Sequence, residues 1–134
     1  MKFLNRFKDD IYSLLRLMTG LLFLQHGTTK YLSFPVTKYS GVDPTSLIGM
    51  AGMIELVGGA LVAVGLFTRP VAFILSGMMA YAYWFMPAPS NFLPILNGGE
   101  LAIMYCFAFL YFVFAGPGAW SLDSKMKSGS AVTA

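Results

Sequence analysis

Five side chains in this sequence combine chemical competence with an expensive setting: His26, Lys30, Glu55, Asn97 and Glu100. Each lies in or at the edge of an apolar run, where a polar or ionisable group needs a partner, a proton or a task. Carboxylates exchange protons, while an imidazole, an ammonium and a carboxamide can donate hydrogen bonds to a carbonyl. Glu55 and Glu100 are therefore the candidate catalytic, proton-exchanging groups, and His26, Lys30 and Asn97 the candidate binding groups.

The spacing supports a meeting of these residues. His26 and Lys30 are one helical turn apart and share a face. Ala51, Glu55, Gly59 and Ala63 recur every four residues, and such a stripe of small side chains lets a neighbouring backbone approach, so Glu55 is expected to face protein. Glu100 follows Asn97-Gly98-Gly99 at the mouth of the apolar run from Leu101 to Ala115. Two acids against one lysine leave surplus negative charge, so one acid is expected to take up or release a proton.

The elements that must position them are membrane spans. The chain has 134 residues, of which 57% are hydrophobic and 11% charged, a composition too apolar for a soluble domain of this size. At ~20 residues per span, the apolar stretches give an all-α bundle of transmembrane helices, about 11–31, 47–67, 71–86 and 96–115. Pro35, Gly41 and Pro44 mark one loop, and Pro87, Pro89 and Pro94 break another. Residues 1–123 then form one four-helix membrane domain, and 124–134, rich in Ser, Gly and Lys, are expected to be a disordered tail. Lys2, Arg6, Lys8, Arg69, Lys125 and Lys127 fall on one side, against Lys30 and Lys38 on the other, which places both termini in the cytoplasm. The basic start resembles a signal peptide, but Asp9, Asp10 and Arg16 interrupt the apolar region that one requires, so the first span is expected to be retained.

Several classes of function are excluded or reduced. The basic residues are scattered at helix ends rather than clustered with exposed aromatics, which argues against a nucleic-acid partner. A single cysteine, Cys106, excludes an internal disulfide, a paired-thiol redox couple and a covalently attached haem. Arg16 and Arg69 are expected to snorkel to headgroup phosphates at the interface, and the aromatics at Tyr81, Tyr83, Trp84 and Phe85 to form an interfacial belt.

From about Leu14 to Asp123 the chain resembles the DoxX family of small four-helix bacterial inner-membrane proteins. The resemblance rests on Leu15-Arg16 with Gly20, His26-Gly27 with Lys30, Gly52 to Glu55 with Gly58-Gly59, and Gly65-Leu66-Phe67-Thr68-Arg69-Pro70. It continues through Asn97-Gly98-Gly99-Glu100 and Gly116-Pro117-Gly118-Ala119-Trp120-Ser121-Leu122-Asp123. It implies a multi-pass protein of the inner membrane linked to redox or sulfur metabolism or to oxidative stress. Many relatives carry a histidine shortly after the third span, where this chain reads Tyr83-Trp84-Phe85-Met86-Pro87, so neither haem nor metal is expected.

These readings lead to a subunit or accessory of a membrane oxidoreductase that acts with quinone. Glu55 and Glu100 would exchange protons with it, and His26, Lys30 and Asn97 would hydrogen-bond its carbonyls. The expected partners are membrane lipids, redox subunits and further copies of the chain. Two alternatives use the same polar cluster: a non-enzymatic scaffold or assembly factor, in which the charges only clamp helices, and a carrier of lipids or small molecules.

Overall fold

The computed structural model describes residues 1–132 and is all-helical, with no strand among the described residues. After a short 3-10 turn the chain forms α1 (Lys8–Tyr31), α2 (Leu47–Val64), α3 (Thr68–Phe85), α4 (Pro94–Asn97), α5 (Glu100–Ala115) and α6 (Leu122–Val132). The four long apolar helices, α1, α2, α3 and α5, make the bundle.

Local sequence explains where these helices start and stop. Ser46 caps α2, its hydroxyl accepting from the Gly49 amide at 3.0 Å, and Gly65 ends it with φ +71°, a left-handed conformation that a Cβ would strain. α3 begins at Thr68, ahead of the expected Val71, because Pro70 sits in its first turn, where no amide donor is required. The expected fourth span, 96–115, is broken: Gly98 turns back with φ +72° after the single turn of α4, and α5 starts afresh at Glu100.

The segment from Ser124, expected to be a disordered tail, continues as α6 to Val132, and residues 133–134 lie outside the described residues. Composition pointed to disorder, but Ser121 supplies a cap, its Oγ accepting from the Ser124 amide at 3.1 Å. Asp123 in the first turn adds favourable charge.

By length and composition α2 can cross a membrane, whereas α5, with 16 residues, is apolar but shorter. At ~1.5 Å per residue α5 spans about 24 Å, less than a typical hydrocarbon core of ~30 Å.

The helices pack as two close pairs, α1 on α2 and α3 on α5. The first pair approaches backbone to backbone: a Cβ added at Gly20, Gly27 or Gly59 would lie 2.5, 2.5 and 2.7 Å from main-chain atoms of Ala63, Leu56 and Leu24. Such a seam of small residues brings the two backbones into close dispersion contact. In the second pair the Ser76 hydroxyl donates to the Cys106 carbonyl at 2.8 Å. Phe23, Val62, Leu75, Phe109 and Phe112 fill the space between the pairs.

α1 and α5 themselves make few contacts. They meet mainly through rings, with Phe23 edge-on to Phe109 at 4.9 Å and Tyr12 edge-on to Phe112 at 5.8 Å.

Candidate functional site

Two places concentrate polar chemistry, and they lie at opposite ends of the bundle. The end that holds both termini is organised by Arg16, which is 1% exposed. Its Nε donates to the Pro117 carbonyl at 2.7 Å and its Nη1 to the Ala63 carbonyl at 2.8 Å. Further bonds reach the carbonyls of Val62 and Trp120.

Val62 and Ala63 belong to the last turn of α2, where amide donors run short, although the Val62 carbonyl also accepts from the Gly65 amide at 3.1 Å. Arg16 therefore does not snorkel to headgroups, as its place near the start of α1 led one to expect. The planar fork of a guanidinium matches several carbonyls at once, and burial makes those bonds worth more than contact with water. Arg69 remains exposed and donates to the Val113 carbonyl at 3.1 Å.

Asp123 does the complementary task at the same end. Its two carboxylate oxygens accept from the Phe67 and Thr68 amides, both at 2.9 Å, and so cap the start of α3. Burial pushes this carboxyl up, but the amides and the nearby Lys127 outweigh that and hold it below the usual carboxylate range.

At the far end a cavity of about 390 Å³ opens between the two helix pairs. Its lining includes Phe23 and His26 of α1, Glu55 of α2, Met79 and Ala82 of α3, and Leu101, Ala102 and Tyr105 of α5. The Glu55 carboxylate is buried and its Oε2 is 2.5 Å from Lys30 Nζ, itself buried in α1. The second oxygen, Oε1, accepts no hydrogen bond among the described residues, although Glu55 lines the cavity.

The Tyr105 hydroxyl and the His26 imidazole likewise make no hydrogen bond among the described residues. The two rings meet edge-on at 6.1 Å, and Phe23 backs Tyr105 at 5.1 Å. Tyr39, from loop 32–46, and Met86 with Pro87, just past α3, reach the rim. The loop is fastened by the Gly41 amide donating to the Lys30 carbonyl at 3.0 Å and by the Thr28 hydroxyl donating to the Phe34 carbonyl at 2.7 Å.

The five residues singled out from sequence therefore divide. Lys30 and Glu55 form the buried pair, and His26 shares the cavity with Glu55. Asn97 stays in the α4 turn, where its amide donates to the Asn91 carbonyl at 2.8 Å and the Tyr83 hydroxyl at 3.2 Å. Its Oδ1 accepts from the Gly99 amide at 2.7 Å, so it shapes the break before α5 rather than lining the cavity.

Glu100 is exposed and has no ion pair or side-chain hydrogen bond among the described residues. The helical rotation explains this. Tyr105, Phe109 and Phe112 define the inward face of α5, and at ~100° per residue Glu100 lies roughly 140° around the axis from Tyr105. In the first turn of α5 its charge favours the helix dipole instead. The surplus acid expected from counting charges is thus absent from the cluster, where one lysine meets one carboxylate.

Tyr105 was not singled out by the sequence. The available signal was a hydroxyl inside an otherwise apolar run, ambiguous because Tyr111 gives the same signal and Tyr83 is also buried, there donating to the Phe92 carbonyl at 3.3 Å.

Comparison with known proteins gives the chain a family. The sequence profile of the DoxX family matches residues 11–88, which carry His26, Lys30 and Glu55. A protein of Haemophilus influenzae, described as uncharacterized, is 46% identical over 129 residues, covering 91% of this chain and 95% of its own length. A protein of Mycobacterium tuberculosis described as an uncharacterized membrane protein is 26% identical, over 84% of this chain and 78% of its own. No solved structure matches the chain. The profile match and the extent of the Haemophilus similarity show that this chain, a membrane protein, belongs to the DoxX family.

Proposed function

We propose that the protein is a membrane-embedded quinone-binding subunit or accessory of an oxidoreductase, with the ring of the quinone in the cavity between the two helix pairs. The supporting observation is the set of three hydrogen-bonding groups without protein partners, Glu55 Oε1, the Tyr105 hydroxyl and His26, on the walls of one otherwise largely apolar cavity. Polar groups that converge on one otherwise apolar cavity with hydrogen-bonding capacity to spare are what a small-molecule site requires.

The donor set fits the oxidised and reduced forms of such a ring. Tyr105 and His26 donate to a carbonyl oxygen, and Glu55 accepts from a hydroxyl. Lys30 holds the carboxylate of Glu55 in place and offsets its charge, which lets an acceptor stand in an apolar wall. A bound quinone would supply the electron-carrying chemistry, and a redox partner protein the other end of the transfer. In this reading α1, α2, α3 and α5 cross a bacterial inner membrane with both termini in the cytoplasm, as the distribution of Lys and Arg favours.

The test is quantification of quinone extracted from protein purified in mild detergent, for wild type, Glu55→Gln and Glu100→Gln. Near-stoichiometric quinone in wild type and Glu100→Gln, with a loss in a folded Glu55→Gln, is the expected result. Quinone no higher than in bulk lipid for all three would remove a tight site.

A second reading has its own observation. Lys30 and Glu55 join α1 to α2 beside their glycine seam, as a helix clamp in a non-enzymatic scaffold would. Under it, loss of Glu55 lowers stability and quinone content is low throughout.

A further inference from the structure

The cavity has walls of unequal closure. Toward the termini it is sealed by the packing of Phe23, Tyr105 and Phe109, with ring centroids 4.9 to 5.8 Å apart. Its α1–α2 wall is the glycine seam, where backbones touch, and its α3–α5 wall is the second close pair. Tyr39, Met86 and Pro87 line it from outside the four long helices.

The backbones of α2 and α3 approach each other more closely than those of α1 and α5, which meet mainly through rings, so the α1–α5 side is the loosest. Of the lining residues within the four long helices, His26 and Leu101 are the exposed ones, and they lie on α1 and α5. The flank outside them is apolar: Leu22, one turn before His26, is 48% exposed, and Leu101 is 54% exposed.

We propose that the cavity is entered sideways, from the bilayer, through the seam between α1 and α5. Its ligand is then a lipid-soluble molecule with one polar ring and a long apolar tail, whose ring passes His26 to reach Glu55 and Tyr105 while its tail stays in the seam. This rests on the reading of the cavity as a quinone site and adds the direction of entry and the need for a tail. A water-soluble ligand coming past loop 32–46 and the end of α3 would meet an aromatic and an apolar side chain, Tyr39 and Met86. A membrane-dissolved one is already concentrated at the open flank, and its tail loses no apolar contact on binding.

The experiment uses the full chain in nanodiscs and two probes with one dimethoxybenzoquinone ring, one bearing a decyl chain and one a methyl group. Binding is referred to the free aqueous concentration of each probe, after subtraction of what empty nanodiscs retain, and measured for wild type and for the variant Leu22→Trp. The expected result is about tenfold tighter binding of the decyl probe by wild type, a preference lost in Leu22→Trp while the methyl probe still binds. Equal binding of both probes by wild type, with the variant unchanged, overturns lateral entry and leaves the quinone site standing. Failure of wild type to bind either probe removes both. If Leu22→Trp does not fold, the comparison of the two probes on wild type decides alone.

Discussion

The two ends of the bundle use buried charge in opposite ways. At the terminal end Arg16 has Pro117, Val62, Ala63 and Trp120 as acceptors, and Asp123 has the amides of Phe67 and Thr68 as donors. At the far end Lys30 and Glu55 satisfy each other through one oxygen, while Glu55 Oε1, Tyr105 and His26 are left toward a cavity. A charge whose bonds are used up by helix ends is structural. Polar groups held rigidly beside a space, with hydrogen bonds unmade, are in keeping with a binding site.

The comparison is most exposed at Arg16. Arg16→Met removes four hydrogen bonds and strands carbonyls at the end of α2 and in the Gly116–Ser121 connection. Unfolding in detergent should show a loss on the order of 3 to 5 kcal/mol, or the variant should fail to accumulate. Near wild-type stability would mean that water replaces the guanidinium and that this end is open.

The Lys30–Glu55 pair should behave differently because it joins stability to binding. Lys30→Met or Glu55→Met alone leaves an uncompensated buried charge and should cost about 3 kcal/mol, whereas the double variant should recover most of it. Quinone content should stay low in the double variant despite its restored fold. Recovery of both would reduce the pair to a clamp.

Tyr105→Phe sharpens the contrast, since its hydroxyl has no protein partner to lose. Stability should change by less than about 0.5 kcal/mol, while quinone affinity falls about tenfold, the worth of about one hydrogen bond. A loss of stability without a loss of affinity would show that the hydroxyl serves the fold.

The smallest effect belongs to Asp123. Its carboxyl is held below its unfolded value, near 3.9, so its contribution to stability is present above that value and disappears as pH falls through the folded value. A melting-temperature profile should therefore drop in wild type below about pH 4, by more than in Asp123→Asn, which lacks the titrating group. Parallel profiles would mean that the cap at α3 contributes nothing that depends on charge.

Much of the fold was readable because spans and loops are written in local chemistry. Apolar runs gave the four long helices, Gly and Pro marked their ends, and the four-residue stripe through Glu55 and Gly59 correctly predicted a carboxylate facing a close neighbour. The break at Gly98 and the persistence of α6 were less legible. Each depends on a single cap or turn, through Asn97 and Ser121, that outweighs the tendency of the surrounding composition.

By itself, then, the sequence determined the membrane character, the helical architecture and the presence of costly polar groups, since hydropathy and periodicity are properties of neighbouring residues. The tertiary structure alone decided which of those groups meet. Whether Glu100 joins Glu55 depends on the rotation of α5, and whether Arg16 reaches lipid or carbonyls depends on where the chain returns after Gly116. Such angles and crossings arise from packing between segments more than a hundred residues apart, as in the bonds from Arg16 to Pro117 and Trp120, and no local pattern encodes them.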